Sequence, residues 1–195
     1  MSQTAATRFG HDRYILKRPA FSVLGRKYYV YAPDGSLVVF LKHPFMKLRE
    51  EFTIYTDESE TQPLLVVKAR KVIAVNMAHD VFDPATGEMT GSIRSRGLKS
   101  IVRDTWDLLD RHDQVVGKME EQGAAWLRRI LRFLPGRHTV ELNGQLVATL
   151  TQNFRFFGKE VVLDFSPGGA ALDHRFGIAC GLLALMKEAS REDEK

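Results

Sequence analysis

The sequence predicts a mainly β protein, a closed antiparallel barrel of about twelve strands that encloses a hydrophobic C-terminal α-helix. Three observations lead to this fold class. Short runs rich in Val, Ile, Leu, Tyr and Phe alternate with polar turns from Arg13 to Phe165, which is typical of antiparallel strands. Helical patterns are few. A long apolar stretch near the C-terminus needs an enclosing layer on every side.

Four strand-turn-strand units can be read directly. They are "YYVYAPDGSLVVFL" (28–41), "HDVFDPATGEMTGSI" (79–93), "WDLLDRHDQVVGKM" (106–119) and "HTVELNGQLVATL" (138–150). Asp34-Gly35 and Asn143-Gly144 can adopt the positive φ values that tight hairpin turns require. Further strands are predicted at Arg13–Lys17, Glu51–Thr56, Leu64–Ala69, Lys71–Met77 and Lys159–Phe165.

The apolar stretch "FGIACGLLALM" spans Phe176 to Met186 without a charged or hydroxyl side chain. Its eleven residues are too few to cross a bilayer, which takes about 20. Asp173 can cap a helix that we expect to run from 173 to about 190. We therefore predict a single barrel domain over residues 13–190, a flexible N-terminal tail over 1–12 and a charged tail over 191–195.

This helix is apolar around its whole circumference, and such a helix must be buried on all sides. Gly177, Cys180, Gly181 and Ala184 form one narrow face of small side chains that permits close packing. A sandwich core about 10 Å thick has no room for an enclosed helix, whereas a barrel of about a dozen strands does. The predicted core positions on the barrel axis are Phe176, Gly177, Ile178, Cys180, Gly181, Leu182 and Leu185.

Composition sets the compartment and the partner classes. The chain has 195 residues, 44% of them hydrophobic, and a formal net charge of +4, which makes acidic partners possible without requiring them. Cys180 is the only cysteine, so neither an internal disulfide nor a multi-cysteine zinc site can form. No apolar leader precedes the first strand, and the expected location is the cytoplasm, where any contact with a membrane would be peripheral.

The serial hairpins "VFDPATGEMTG", "LLDRHDQVVGKM" and "ELNGQLVATL", followed by "LDHRFGIACGLLALM", resemble the Tubby C-terminal-like superfamily. The likeness is strongest to its LURP-one-related and phospholipid-scramblase-like branches and covers about Tyr14 to Ala189. It implies a twelve-stranded barrel around a central helix. Tubby-type members bind phosphoinositide head groups and scramblases are membrane-associated. The calcium-binding segment of scramblases has no counterpart, because "VVLDFSPGG" offers only Asp164.

The segment "QGAAWLRRILRFLPGRH" (122–138) interrupts the hairpins with a helical pattern and contains no acidic residue. An apolar stripe faces one side, and Arg128, Arg129 and Arg132 face the other, with Trp126 and Arg137 at the ends. Cations, a Trp and large apolar groups on one short helix suit contact with an anionic membrane surface. The alternative is a helix that packs beside the barrel with its arginines solvated.

A second basic cluster, "SIRSRGLKSIVR", supplies Arg94, Arg96, Lys99 and Arg103. Together with Lys68, Arg70 and Lys71 it could bind phosphate, although solvated strand faces are the simpler interpretation. Nucleic acid is not expected as a partner, because interleaved aromatic side chains and a recognition helix are missing from this cluster.

Motifs for catalysis and for cofactors are absent from the sequence. It contains no G-x-S-x-G elbow, no phosphate-binding P-loop and no H-E-x-x-H pair, so we predict no catalytic residue, no metal site and no cofactor. The favoured function is a non-enzymatic module that binds phospholipid, phosphoinositide or a membrane surface. The alternatives are a small-ligand carrier or enzyme with a cavity in the barrel, and a scaffold that binds another protein through the Trp126 helix.

Overall fold

The structure, a computed structural model, describes residues 5–21, 25–43, 51–72, 76–96, 105–123, 136–153 and 158–193. A short helix α1 (Ala5–Arg8) precedes the strands, and a long helix α2 (His174–Asp193) follows them. The strands are β1 Arg13–Arg18, β2 Arg26–Tyr31, β3 Leu37–His43, β4 Glu51–Tyr55, β5 Pro63–Val72, β6 Asn76–Phe82, β7 Met89–Ser95, β8 Thr105–Leu109, β9 Val115–Glu121, β10 Arg137–Leu142, β11 Gln145–Asn153 and β12 Lys159–Asp164.

The strands form a closed barrel in which each one pairs antiparallel with the next along the chain. The ring closes between β1 and β12, in a register that runs from Arg13 opposite Asp164 to Arg18 opposite Lys159. Closure satisfies the backbone donors and acceptors that an open sheet would expose at its edges. The predicted fold class is confirmed.

The hairpin turns follow the local sequence. Asn143 and Gly144 both have positive φ, +49° and +80°, as expected for a tight two-residue turn. In the turn after β2, Gly35 alone has positive φ, at +83°. The separate strand predicted at Lys71–Met77 is wrong: β5 continues to Val72, and β6 begins at Asn76. Gly and Pro are missing from this stretch, so the sequence carried no turn signal there.

Residues 8–12, which we expected in a flexible tail, are bound to the barrel. The guanidinium of Arg8 donates to the carbonyl oxygens of Val38 (2.6 Å) and Thr56 (3.3 Å). Phe9 packs against the core, and the amide of Phe165 donates to the carbonyl of Asp12 at 2.7 Å. The N-terminal segment therefore covers the end of the barrel at which α2 begins.

Helix α2 lies inside the barrel. Asp173 caps it, because its Oδ1 accepts a hydrogen bond from the amide of Arg175 at 2.8 Å. All seven predicted core residues of the helix are buried, and the side chains of Phe176, Ile178, Cys180, Leu182 and Leu185 join those of the strands in one cluster. Burial also raises the pKa of the Cys180 thiol well above its usual range.

The two central glycines let the helix approach the barrel wall closely. A Cβ atom placed on Gly181 would lie 2.7 Å from Cδ2 of Leu16 in β1 and 3.3 Å from Cδ2 of Leu150 in β11. A Cβ on Gly177 would lie 2.5 Å from the ring of Phe165. Real Cβ contacts are longer than this, so both positions require glycine unless the surrounding side chains move.

Candidate functional site

The interior of the barrel is occupied by protein. Ile178, Leu182 and Leu185 of α2 are at most 2% exposed and pack against the inward side chains of the strands. A ligand along the axis would have to displace these side chains and forfeit their burial, worth about 1.5–3 kcal/mol each. Binding chemistry is therefore to be sought on the outer surface and at the ends of the barrel.

The described arginines of the predicted basic cluster are paired with carboxylates. Arg94 and Arg96 both donate to Asp107, at 2.9 and 2.6 Å, and Asp107 is only 5% exposed. Arg70 bridges Asp80 and Asp113 with two hydrogen bonds to each. These bonds raise the pKa of Arg70, with Asp113 contributing first, and lower that of Asp113. Three arginines thus face three aspartates, which leaves little net charge for a phosphate.

This pairing extends further around the outer face. Asp107 lies opposite Lys118 in the register of β8 and β9. The ammonium of Lys118 pairs with Glu120 at 3.2 Å and with Glu141 at 3.4 Å. Charges of opposite sign thus alternate across neighbouring strands, an arrangement that favours sheet formation. We assign the described part of this cluster to stabilising the barrel wall.

The helical segment predicted to contact membranes lies mostly outside the described residues. Trp126, Arg128, Arg129 and Arg132 fall in the gap at 124–135, and Lys99 falls in the gap at 97–104. Arg137 is described: it is exposed at the start of β10, and no ion pair joins it to another described residue.

A different surface combines cations with aromatic rings. We call it the lysine-aromatic face, and it consists of Lys17, Lys27, Tyr29, Tyr31, Phe40 and Lys42 on the outer side of β1, β2 and β3. Side chains alternate between the two sides of a strand. Tyr28 and Val30 point into the core, so Lys27, Tyr29 and Tyr31 point outward.

Strand register brings the members of the lysine-aromatic face together. Tyr29 lies between Lys17 on β1 and Phe40 on β3, and Lys27 lies directly opposite Lys42. The rings of Tyr29 and Phe40 have centroids 5.3 Å apart, and that of Tyr31 lies 6.1 Å from that of Tyr29 and nearly parallel to it. Phe40 is 1% exposed although it lies outside the inner core.

The ammonium groups of the lysine-aromatic face lie close to its rings. Lys17 Nζ is 5.3 Å from the centroid of Tyr31, and Lys27 Nζ is 5.9 Å from that of Phe40. Both distances are within the range of cation-π attraction. Burial raises the pKa of Tyr29 and Tyr31, so both hydroxyls stay neutral and can donate hydrogen bonds at neutral pH.

The charges of this face are only partly compensated. Lys27 pairs with Glu58 at 2.8 Å, and that hydrogen bond is the main cause of a raised pKa at Lys27. Lys17 lies 3.7 Å from Glu160. Lys42 is exposed, and among the described residues no carboxylate pairs with it. Like charges directly opposite each other in a sheet are unfavourable, and Glu58 compensates only the Lys27 member of the Lys27–Lys42 pair.

Sequence reasoning did not identify this surface. The signal was present in "RKYYVY" and "VFLKH", where alternation puts one lysine and the aromatic side chains on the same side of each strand. Which residue of one strand faces which residue of the other depends on an irregularity in the register between Val30 and Tyr31. Such a shift cannot be read from composition.

The described residues contain neither a membrane-spanning helix nor a cluster of metal ligands. No helix there is long and apolar enough to cross a membrane. In the same ranges, no three or more His, Cys, Asp or Glu side chains are grouped so that they could hold a metal ion.

By its fold, the protein is a closed twelve-stranded barrel around a central helix. No protein-family model and no curated protein matches the chain. The chain is similar in structure to a protein from Arabidopsis thaliana known from an X-ray structure, with a TM-score of 0.51 and 14% sequence identity. The similarity covers 91% of this chain and 92% of the other. At this identity it supports the fold alone.

Proposed function

We propose that this protein is a non-enzymatic module that binds the surface of membranes containing anionic phospholipid. The observation that carries the proposal is the lysine-aromatic face, in which Lys27 and Lys42 lie opposite each other beside partly exposed tyrosines. A phosphate-rich surface would offset the repulsion between these two ammonium groups. Each lysine near an anionic membrane contributes about 1 kcal/mol of binding.

The aromatic part of the face suits the same partner. Tyrosine has an apolar ring and a polar hydroxyl, and it is enriched where hydrocarbon meets water. The lysine stems can lie along apolar surface while their ammonium groups stay hydrated. The resemblance to the Tubby C-terminal-like superfamily, some of whose members bind phosphoinositides, supports the same class of ligand. The location that corresponds to this function is the cytoplasm, with peripheral association with membranes.

The proposal does not require a cavity. A carrier of small apolar ligands would need space inside the barrel, where α2 is packed instead. This observation disfavours the carrier among the alternatives predicted from the sequence.

Co-sedimentation with vesicles tests the proposal. The probes are vesicles of phosphatidylcholine alone and vesicles of phosphatidylcholine with about 30 mol% anionic phosphatidylserine. Each is tested at low and at physiological salt. We expect binding only to the anionic vesicles and weaker binding at higher salt, because the Debye length falls to about 8 Å. Lys42→Glu removes one positive charge and adds one negative charge. The expected loss of binding free energy is about 2 kcal/mol, which corresponds to about 30-fold weaker binding.

Arg111→Glu is the matched control. Arg111 is an exposed cation in the turn between β8 and β9, about half-way around the barrel from β2 and β3, and its reversal should change binding far less. Equal loss in both variants would mean that only net charge matters. If the variant Arg128→Glu, Arg129→Glu, Arg132→Glu abolishes binding while Lys42→Glu does not, the contact lies in the 122–138 segment and our choice of surface is wrong.

A further inference from the structure

The end of the barrel at which α2 ends carries polar groups on its inner side, in contrast to the apolar middle of the lumen. His79, Ser95 and Trp106 come from three consecutive strands, β6, β7 and β8, and Lys187 comes from the last turns of α2. We call these four residues the mouth cluster. It lies outside the lysine-aromatic face, and none of its members was singled out as a site residue from the sequence.

Strand register places the cluster on the inner surface. Ser95 lies directly opposite Trp106. Gly91 is on the same side of β7 as Ser95, and a Cβ atom there would lie 3.0 Å from the ring of Phe176 in α2. His79 shares a side of β6 with the fully buried Val81 and lies opposite Ile93. The three side chains therefore converge on the helix.

Lys187 provides the positive charge at the centre of the mouth cluster. Its Nζ atom lies 4.7 Å from the centroid of the Trp106 ring and 3.4 Å from Oγ of Ser95. The second contact is at the long end of the hydrogen-bond range.

His79 adds a group that the fold leaves unsatisfied. Its Nε2 atom is buried and has no hydrogen-bond partner among the described residues. A buried polar atom without a partner is unfavourable for the fold. Burial lowers the pKa of His79; Asp80 opposes this effect, and the charge of Lys187 adds to it. A neutral imidazole carries one N–H group, and in the tautomer with the proton on Nε2 this atom is a donor that lacks an acceptor.

From these contacts we infer that the mouth cluster is a binding site for a phosphate group. The ammonium of Lys187, the hydroxyl of Ser95 and the Nε2–H of His79 are three donors from three elements, and a phosphate monoester offers three acceptor oxygens. Trp106 forms an apolar wall beside them. His79, Ser95 and Lys187 each keep part of their surface exposed, and Nε2 of His79 is the buried atom of the site.

This inference goes beyond the membrane contact proposed above. The phosphate could belong to a lipid head group or to a soluble phosphomonoester, and the chemistry of recognition is the same for both. The lysine-aromatic face lies on the outside of other strands, so either proposal can fail while the other holds.

Fluorescence of Trp106 reports on the site. The chain has two tryptophans, so Trp126→Phe leaves Trp106 as the only reporter. We expect a saturable change on titration with glycerol 3-phosphate or inorganic phosphate, with sodium chloride of matched ionic strength as the blank. Short-chain phosphatidic acid in phosphatidylcholine vesicles forms a second arm. A fluorescence change that saturates with a soluble phosphate identifies a phosphorylated solute as the ligand. A change that saturates only with vesicles identifies a lipid head group as the ligand.

Lys187→Gln should weaken the response at least 10-fold, and Ser95→Ala, which changes less of the core, should weaken it about 3-fold. Lys42→Gln is the control and should leave the titration with soluble phosphate unchanged, even if it weakens vesicle binding. A response no different from that to sodium chloride would overturn the inference. An undiminished response in both Lys187→Gln and Ser95→Ala, with melting temperatures like that of the parent, would also overturn it.

Discussion

Replacing Gly181 with leucine tests whether α2 lies on the barrel axis. A Cβ atom at this position would lie 2.7 Å from Leu16, 3.3 Å from Leu150 and 4.0 Å from Leu163. These residues belong to β1, β11 and β12, which are adjacent in the ring. Because the strands form a closed ring, the wall cannot open to make room as the edge of a sheet could.

The size of the effect follows from two opposing terms. Gly→Ala in a helix interior gains about 1 kcal/mol of helix propensity, and overpacking a well-packed core costs about 1–3 kcal/mol. Gly181→Ala should therefore destabilise by about 0–2 kcal/mol. Leucine adds three more carbon atoms in the same place, so Gly181→Leu should lose about 2 kcal/mol or more, which is at least about 4–8 °C in melting temperature for a chain of this length.

Thermal unfolding followed by circular dichroism measures the effect, with Leu16→Ala as a compensating change. The double variant Gly181→Leu, Leu16→Ala should be more stable than the sum of the two single losses predicts, because the two side chains compete for one volume. If Gly181→Leu has the same melting temperature as the wild type, the placement of α2 on the barrel axis is refuted. Strict additivity in the double variant would refute the specific contact with Leu16.

Two further predictions concern the helix. Asp173→Ala should destabilise the protein by about 1 kcal/mol through loss of the N-cap, whereas Asp173→Asn, which keeps the capping oxygen, should lose less in urea unfolding. Burial alone would raise the pKa of Asp173, but hydrogen bonds from Arg175 outweigh this effect and the pKa is lowered. The charge of Asp173 therefore stabilises the fold at neutral pH. The difference in free energy of unfolding between wild type and Asp173→Asn should shrink below about pH 4, where the carboxylate becomes protonated. A difference that stays constant down to pH 2, or a loss in Asp173→Asn as large as in Asp173→Ala, would contradict this account. The Cys180 thiol, buried and with a raised pKa, should react with a disulfide reagent only at the rate of opening of the core, and faster in Gly181→Leu; rapid labelling of the folded wild type would mean that this face of α2 is open to solvent.

The fold could be predicted because its signals are local. Asn143-Gly144 marks a turn by the φ values its residues tolerate, and the length of the apolar run around Cys180 excludes a membrane span. The outer surface could not be predicted in the same way. Arg94 and Arg96 looked like a phosphate site in the sequence, but both pair with Asp107 from the next strand. That pairing depends on register, which is a property of two strands together.

Contacts between distant parts of the chain account for the other differences. Arg8 reaches carbonyl groups 30 and 48 residues away, and no local pattern indicates that these acceptors are available. The mouth cluster likewise joins strands to the end of a helix, with Lys187 and Ser95 separated by 92 residues. Residue types in a single sequence do not reveal such convergence.

The order of the elements also affects how the molecule can fold. Helix α2 follows all twelve strands, so its side chains, which fill the barrel, leave the ribosome after every strand. The ring closes only when β1 meets β12, across a separation of 151 residues between Arg13 and Asp164. Until then the apolar inner faces of the hairpins have nothing to cover them. We expect folding to be slow and to be completed only after α2 has been synthesised, with the apolar inner faces of the strands open to chaperones until then.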